Sequence, residues 1–236
     1  MFDAVILAGG LGTRLRSVVS DVPKCMAPVG GRPFLEWILA WIEPFRPGKI
    51  ILSLGYLSDV VTEWVRNSMK DYPIPIEWVI EETPLGTGGG IRLALSKVTA
   101  SQCIILNGDT FFDVDLNALC SFREKAGTPL AIALKPMTDF DRYGSVTLSA
   151  GDRITSFNEK KHCESGLING GTYCIDCTAG LLADKPLKFS FEKDVLEPES
   201  SCGNLSGFVS DGSFIDIGIP QDYELAQTFL PANIKL

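Results

Sequence analysis

The sequence has no long hydrophobic run, little histidine and few basic residues. No apolar stretch approaches the roughly 20 residues that a membrane-spanning helix needs, and the start, MFDAVILAGG, lacks the basic region of a signal peptide. Lysine and arginine total 21 against 29 aspartates and glutamates, which leaves a net charge of −8. Binding to a nucleic-acid backbone requires a basic face. We therefore expect a cytoplasmic protein that binds neither nucleic acid nor membrane.

The cysteines do not complete a metal-binding or disulfide pattern. There are seven, an odd number, and most lie in apolar segments, as is typical of reduced thiols in a reducing compartment. Cys174 and Cys177 have the CxxC spacing, with His162 and Cys163 upstream, so a zinc site is one interpretation. No second CxxC pair exists to provide four ligands. We favour buried thiols over a zinc site.

A glycine-rich loop after the first apolar run is the most informative segment present. LAGGLGTRL occupies residues 7–15, and Pro23-Lys24 follows it. Glycines remove the side chains that would keep backbone N–H groups away from a ligand, and Arg14 and Lys24 add positive charge for phosphate oxygens. The loop therefore predicts a polyphosphate site. Its candidate nucleotide-binding residues are Leu7, Gly9, Gly10, Gly12, Thr13 and Arg14.

Two other glycine loops are alternatives for the same segment. A P-loop needs GxxxxGK[ST], which the sequence does not contain. A dinucleotide-binding loop needs GxGxxG and an acidic residue after the second strand. Leu15 stands where the third glycine belongs, and the second apolar run ends in Gly55-Tyr56. These departures oppose a nicotinamide-dependent oxidoreductase. An ordinary turn after a strand is the remaining structural interpretation.

The order of apolar segments predicts an α/β fold. Strand-like runs alternate with amphipathic helices in the first half, which predicts a mostly parallel sheet flanked by helices, with ligands at the carboxyl ends of the strands. We expect one helix to begin near Pro33, one to be capped by Ser58, and a third to follow Gly88-Gly89-Gly90. The expected strands are 3–8, 49–54, 76–80, 102–107, 129–135, 144–148, 153–157 and 168–175.

The later strands are separated by turns with little helix, so the sheet is expected to be mixed and Rossmann-like, with a small substrate-facing, β-rich lobe. A helix from Pro220 to about Phe229 follows. We expect a single domain over residues 1–236, in which 1–128 mainly bind nucleotide and 129–236 mainly bind sugar phosphate. A separate β-helix domain is not expected.

Further motifs follow the loop in a characteristic order. They are EETPLGTGG at 81–89, Asn107-Gly108-Asp109, Glu159-Lys160, Asn169-Gly170-Gly171 and FIDIG at 214–218. Together with the loop they resemble the sugar-1-phosphate nucleotidyltransferases over almost the whole chain. The resemblance implies transfer of a nucleoside monophosphate from a nucleoside triphosphate to a sugar 1-phosphate, with release of pyrophosphate. The product would be a nucleotide sugar for a surface glycan such as capsule, lipopolysaccharide or S-layer glycan.

The resemblance also implies roles for individual residues. Asp109 directly follows an apolar strand, where a carboxylate suits Mg²⁺, and by resemblance Asp216 is the second metal ligand. The catalytic cations would be Arg14 at the β- and γ-phosphates, Lys24 at the α-phosphate and Lys160 at the sugar phosphate. The remaining sugar-phosphate ligands implied are Asn107, Gly144, Glu159 and Asn169.

Glu81 bears on the choice of base. Relatives that use uridine or thymidine triphosphate have glutamine at this position. Guanine presents two donors, N1–H and the 2-amino group, and a carboxylate is an acceptor that can take both. Glu81 therefore favours GTP, with Glu82 as a neighbouring candidate. Gly86 and Gly88 are expected to let the backbone approach the base and ribose, and Thr87 belongs to the same nucleotide-binding segment.

Within the family, EETPLGTGG and FIDIGIP are most similar to short D-glycero-D-manno-heptose 1-phosphate guanylyltransferases. Mannose 1-phosphate guanylyltransferases come next and uridylyltransferases third. A different class is a catalytically silent relative that senses ligands. Such a protein would be expected to lack a catalytic lysine or a metal-binding aspartate, whereas this chain keeps Lys24, Asp109 and Asp216. The sugar and its anomer stay open, and a homodimer is compatible with the sequence.

Overall fold

The computed structural model describes residues 1–10, 22–158 and 161–235. The strands are β1 (Asp3–Leu7), β2 (Pro28–Val29), β3 (Arg32–Pro33), β4 (Ile50–Leu54), β5 (Ile76–Ile80), β6 (Gln102–Asn107), β7 (Thr110–Phe112), β8 (Leu130–Phe140), β9 (Ser145–Leu148), β10 (Ile154–Phe157), β11 (Cys163–Asp176), β12 (Leu205–Val209) and β13 (Phe214–Asp216). The helices are α1 (Phe34–Ile42), α2 (Ser58–Ser68), α3 (Gly86–Leu95), α4 (Leu116–Ala126), α5 (Glu197–Ser201) and α6 (Pro220–Asn233).

Four short strands form the parallel part of the sheet, in the order β6-β1-β4-β5. Val5 of β1 pairs with Ile51 of β4 on one side and with Ile105 of β6 on the other. The strands are almost uniformly apolar because helices cover both faces of the sheet. This arrangement confirms the four strands predicted in the first half, to within a residue at their ends.

Alternate residues of these strands supply two hydrophobic cores, because successive side chains of a strand point to opposite faces. Ala4 and Ile6 belong to the core that contains the apolar residues of α1 and Ala226 of α6. Val5 belongs to the other core, with Ile91 of α3. The predicted covering of helices on both faces is therefore confirmed.

The second half extends the same sheet with mostly antiparallel strands. β11 runs antiparallel to β6 through its carboxyl-terminal part and to β9 through its amino-terminal part, while β8 pairs along its other side. β12 adds to β8 in parallel. In the described residues this gives a sheet of nine strands, and the predicted mixed sheet is confirmed.

Several predicted element ends were wrong. α3 begins at Gly86, so the glycine run lies inside the helix rather than before it. Ser58 is the first residue of α2 and its side chain forms no cap, because Leu57 precedes it with a left-handed φ of 54°. α6 continues to Asn233, beyond the predicted end near Phe229. Among the helices described, none has the length and hydrophobicity required to cross a membrane.

Candidate active site

A pocket of about 450 Å³ opens where the parallel strands β1, β4 and β6 end. Its volume lies within the range of small-molecule sites, and this edge is where α/β sheets bind ligands. The lining residues are Leu7, Ala8, Gly9, Gly10, Lys24, Cys25, Ser53, Glu81, Pro84, Gly86, Thr87, Gly90, Asn107, Gly108, Asp109 and Glu192. Residues 7–10 of the predicted glycine loop thus meet the 81–89 segment and the residues after β6 at one pocket.

Two glycines of the loop, Gly9 and Gly10, line the pocket and have different surroundings. A Cβ on Gly9 would come within 3.1 Å of the Gly55 nitrogen, so Gly9 lets the loops after β1 and β4 pass each other closely. A Cβ on Gly10 would meet no atom within 4 Å in the described residues. Internal packing therefore accounts for Gly9, while Gly10 leaves room on the pocket side. Gly12, Thr13 and Arg14 lie outside the described residues.

Two carboxylates come together at the rim through a small antiparallel strand pair. Asp109 stands between β6 and β7, and β7 pairs with β13 so that Thr110 faces Asp216. The Ile217 amide donates to the Asp109 carbonyl at 3.0 Å. This pairing places Asp216 beside Asp109, although the two residues belong to different halves of the chain.

Lys24 lies between these carboxylates. Its Nζ is 2.5 Å from Asp109 Oδ2 and 3.5 Å from Asp216 Oδ1, and its side chain is only 15% exposed. Gly218 makes this arrangement possible, because a Cβ there would collide with the Lys24 ammonium. The Gly218 amide also donates to Asp216 Oδ1 at 2.8 Å. One glycine therefore both orients Asp216 and leaves space for Lys24.

The residues around Asp109 and Asp216 fit a divalent cation. Both carboxylates already contact one positive charge, the Lys24 ammonium. Mg²⁺ binds through one or two protein carboxylates and takes its other ligands from water and phosphate oxygens. Within the described part of the chain, no set of three or more histidine, cysteine, aspartate or glutamate side chains forms a metal site. An ion here would depend on substrate and water for its other ligands.

Tyr143 is a neighbour of this site that the sequence analysis missed. Its hydroxyl is 3.5 Å from Asp216 Oδ2, and its ring packs edge-on against Phe214. Burial, followed by the charges of Asp216 and Asp222, raises the pKa of Tyr143, so its hydroxyl remains a donor to Asp216. Burial and the Asp216 charge likewise raise the pKa of Asp222. Only the adjacent Gly144 had been selected from this segment.

Glu81 directly follows β5, which lies three strands across the sheet from β6 and Asp109. Its Oε2 accepts from the Leu85 amide at 2.8 Å, which holds the turn before α3. Its Oε1 occupies the space beside Gly90, where a Cβ would come within 2.6 Å of it. Glu82 is exposed and does not line the pocket. Of the two predicted candidates, Glu81 is therefore the one that lines the pocket.

The glycines of α3 have a structural role that the sequence did not indicate. A Cβ on Gly88 would collide with the Phe189 ring, and a Cβ on Gly86, where φ is 75°, would collide with the Phe189 carbonyl. That carbonyl accepts from the amides of Gly88 and Gly89 at 3.1 and 3.4 Å. The close approach at Gly88 is therefore to Phe189 rather than to a base or ribose. Gly86 contacts Phe189 and also lines the pocket.

Glu192 is a lining residue that the sequence did not predict, as are Cys25 and Ser53. Its Oε2 accepts from Thr87 Oγ1 at 2.7 Å and from Ser190 Oγ at 2.9 Å. Thr87 Oγ1 in turn accepts from the Phe191 amide at 2.9 Å. A segment of the second half thus holds the first turn of α3. No local motif marks Glu192, because its partner Thr87 is 105 positions away.

The predicted sugar-binding residues are less closely grouped. Asn169 uses both ends of its amide within β11, accepting from the Gly171 amide and donating to the Tyr173 hydroxyl, each at 2.9 Å. Asn107 lines the pocket, whereas Asn169 and Gly144 do not. Gly144 instead faces the Asn158 carbonyl, which a Cβ would overlap. Glu159 and Lys160 lie outside the described residues.

The cysteines of the CxxC segment contact other groups. Cys174 is fully buried with its Sγ 3.6 Å from that of Cys120, across the α4–β11 contact. The hydrogen bond to Cys120, followed by burial, raises the pKa of Cys174, which keeps it a neutral thiol. Cys103 is also fully buried, and its pKa is raised by burial. These cysteines pack as small apolar side chains.

The chain is similar to known proteins in both sequence and fold. The profile of the nucleotidyl transferase family matches residues 3–233. The chain is 43% identical to D-glycero-alpha-D-manno-heptose 1-phosphate guanylyltransferase from Aneurinibacillus thermoaerophilus, over 95% of this chain and 96% of that protein. The protein of the same name from Campylobacter jejuni is 42% identical, over 94% of this chain and 96% of that protein.

A more distant relative and a solved structure complete the comparison. Mannose-1-phosphate guanylyltransferase from Mycobacterium tuberculosis is 31% identical, over 94% of this chain but 62% of that protein. The crystal structure of HddC from Yersinia pseudotuberculosis complexed with GMP-PN superimposes with a TM-score of 0.83 and 41% identity. It covers 96% of this chain and 98% of that one.

Proposed function

This chain belongs to the nucleotidyl transferase family, and we propose that it transfers GMP from GTP to D-glycero-α-D-manno-heptose 1-phosphate, releasing pyrophosphate. The support is the pair of relatives with this activity in their names, which align along almost their full length. The similarity to the mannose-1-phosphate enzyme is lower. The HddC complex supports a guanine nucleotide, since GMP-PN is bound in that protein.

The observation that carries the proposal is the distribution of charge along the pocket. Glu81, an acceptor, lies at the end bounded by Gly9 and Gly90, and Lys24 lies at the rim beside Asp109. A nucleoside triphosphate has the complementary pattern, with donors on the guanine edge and negative charge on the phosphates. In this assignment the base lies toward Glu81 and the phosphates extend toward Lys24.

The chemistry requires positioning rather than a proton acceptor. An oxygen of the sugar phosphate attacks the α-phosphorus of GTP, and the bond from that phosphorus to the bridging oxygen of pyrophosphate breaks. A phosphate monoester is largely ionised at neutral pH because its second pKa is about 6. Lys24 and Arg14 hold the triphosphate and offset the charge that develops during transfer. The histidine-poor composition is consistent with this mechanism.

A divalent metal is generally used by nucleotidyltransferases of this family, and we propose Mg²⁺ here. Asp109 and Asp216 would hold it. When bound, the ion would neutralise charge on the phosphates. Tyr143 and the Gly218 amide orient Asp216 through hydrogen bonds of 3.5 and 2.8 Å, so the carboxylates are positioned by the protein itself.

For the sugar, we propose that Lys160 binds the phosphate and that Glu159, Asn169, Gly144 and Asn107 contact the hydroxyl groups. The α anomer is taken from the names of the similar proteins. The reaction would take place in the cytoplasm, and the GDP-heptose would be a precursor of a surface glycan. A homodimer and the division into nucleotide and sugar halves belong to the same proposal.

A substrate panel tests the function. The purified chain is incubated with Mg²⁺, each of the four nucleoside triphosphates and either heptose, mannose or glucose 1-phosphate, and pyrophosphate release is measured. GTP with heptose 1-phosphate should give the highest kcat/KM. A preference for mannose 1-phosphate would change the sugar phosphate assigned as substrate. A preference for UTP would overturn the guanylyltransferase assignment.

A further inference from the structure

Lys24 is proposed to bind the nucleotide phosphate, but in the structure its ammonium lies at the proposed metal site. The transfer reaction requires its ammonium at the α-phosphate of the nucleotide. In the structure that ammonium is 2.5 Å from Asp109 and 3.5 Å from Asp216, the carboxylates assigned to the metal. Lys24 therefore makes the contacts that a divalent cation would make.

An ammonium and a divalent cation cannot share this position. Both are attracted to the same two carboxylates, and like charges a few ångströms apart repel each other strongly in a partly buried site. The Lys24 side chain is 15% exposed and that of Asp216 is 18% exposed, so water screens this repulsion only in part. Binding of a metal must therefore displace the ammonium of Lys24 from between the carboxylates.

We propose that Lys24 holds the metal position in the ligand-free enzyme and that a divalent cation displaces its ammonium, which then becomes available for the nucleotide phosphate. This inference rests on the proposed function for the identity of the metal site. It adds that metal binding and the placement of the catalytic lysine are one coupled event.

The surroundings are suited to such an exchange. The backbone of Lys24 is held by the buried neighbours Cys25 and Ala27, while its flexible side chain extends into the space left by Gly218. Asp216 does not depend on Lys24 for its orientation, because the Gly218 amide donates to it. Asp109 likewise accepts from Thr110 Oγ1 at 3.2 Å, so both carboxylates keep a partner while the ammonium moves. Among the described residues, the other titratable groups near Asp216 include Tyr143 and Asp222. The Arg142 guanidinium opposes the rise in the pKa of both, and its ion pair is with Asp141, at 4.0 Å, rather than with Asp216.

Metal binding in the absence of nucleotide tests the exchange directly. Mn²⁺ alone is titrated into the full chain, and free Mn²⁺ is measured by electron paramagnetic resonance. Lys24→Met should bind Mn²⁺ about tenfold or more tightly than the wild type, because the competing cation is gone. Lys49→Met is the matched control. Lys49 is also 3.1 Å from a carboxylate, that of Glu77, and is 16% exposed, but it does not line the pocket.

Further variants identify the site and guard against misfolding. Asp109→Asn should remove the additional Mn²⁺ binding in the Lys24→Met background, which assigns it to this pair. Lys24→Gln provides a polar alternative if the methionine variant does not fold. Equal or weaker Mn²⁺ binding by the Lys24 variants would overturn the exchange. Failure of the proposed function would be distinct, since it would be seen in the substrate panel, as no pyrophosphate release or as a preference for another substrate pair, and not in Mn²⁺ binding.

Discussion

The two halves of the chain contribute to the pocket in different ways. Among the residues that the structure describes, those up to Asp109 supply all of its lining except Glu192. The second half instead supports those residues: β13 places Asp216 beside Asp109, and Phe189 supports the glycines of α3. In the described residues, the first half therefore lines most of the pocket, whereas the second half positions several of those lining groups.

The cause of the difference is the direction of the strands. β1, β4 and β6 are parallel, so the loops at their carboxyl ends meet at one edge of the sheet. β8, β9 and β11 are antiparallel, and their ends alternate between the two edges. Residues that follow antiparallel strands are dispersed, and polar side chains such as Asn169 find partners within their own strand.

Replacing the carboxylates should have the largest effect and tests whether the halves share one metal. Asp109 lies in the first half of the chain and Asp216 in the second, and each is replaced by alanine. Each should lower kcat/KM by about 100-fold or more, since a metal supplies several kcal/mol of charge stabilisation. The double variant should be little worse than either single one, because both remove the same interaction. Steady-state kinetics with circular dichroism as a folding control measure this, and near-wild-type turnover of either variant would exclude that residue.

The two lysines give the next largest effect and separate the halves kinetically. Lys24→Ala should mainly lower kcat, by about 100-fold, because its charge is needed as negative charge develops at the α-phosphate. Lys160→Ala should mainly raise KM for the sugar phosphate and leave nucleotide affinity unchanged. Initial rates with each substrate varied in turn distinguish these outcomes. If Lys160→Ala weakened GTP binding instead, the proposed division of the chain would be incorrect.

Glu81→Gln should have an intermediate effect that is confined to the first half. The amide places a donor opposite at least one guanine donor, and an unpaired buried donor costs about 1–3 kcal/mol, which corresponds to a fall of roughly 5- to 150-fold in kcat/KM for GTP. UTP should be affected less. Glu82→Gln is the matched control, since Glu82 is exposed and outside the pocket. Damage from the control variant with an unaffected Glu81→Gln would reverse the assignment.

Glu192→Ala should have the smallest effect and tests the support that the second half gives to the first. It removes the acceptor for Thr87 Oγ1 at the rim. Because this bond is exposed, the expected loss of unfolding free energy is about 0.5–1 kcal/mol, at the low end for a hydrogen bond. Glu199→Ala, which removes a bond to Asn204 elsewhere, is a control for stability alone. Denaturant unfolding and KM for GTP are measured together, and a raised KM only in Glu192→Ala would support its role at the rim.

The features that depend on local backbone conformation and on charge could be predicted from the sequence alone. The apolar runs predicted the strands of the first half. Because ligands bind at the carboxyl ends of parallel strands, the loop at 7–15, Glu81 and Asp109 could be expected at one edge. The family resemblance added Asp216, whose place beside Asp109 does not follow from spacing.

The contacts between distant segments could not be predicted from the sequence and are seen in the tertiary structure. Lys24 meets carboxylates 85 and 192 positions away, and Glu192 meets Thr87 across 105 positions. The sequence favours Gly86 and Gly88 of α3 as ligand contacts. Nothing in their own segment indicates that Phe189, about 100 positions further along the chain, packs on them. The physical reason is that a local pattern specifies which face or edge a residue occupies. The partner on the other side depends on strand order and on the packing of the whole sheet.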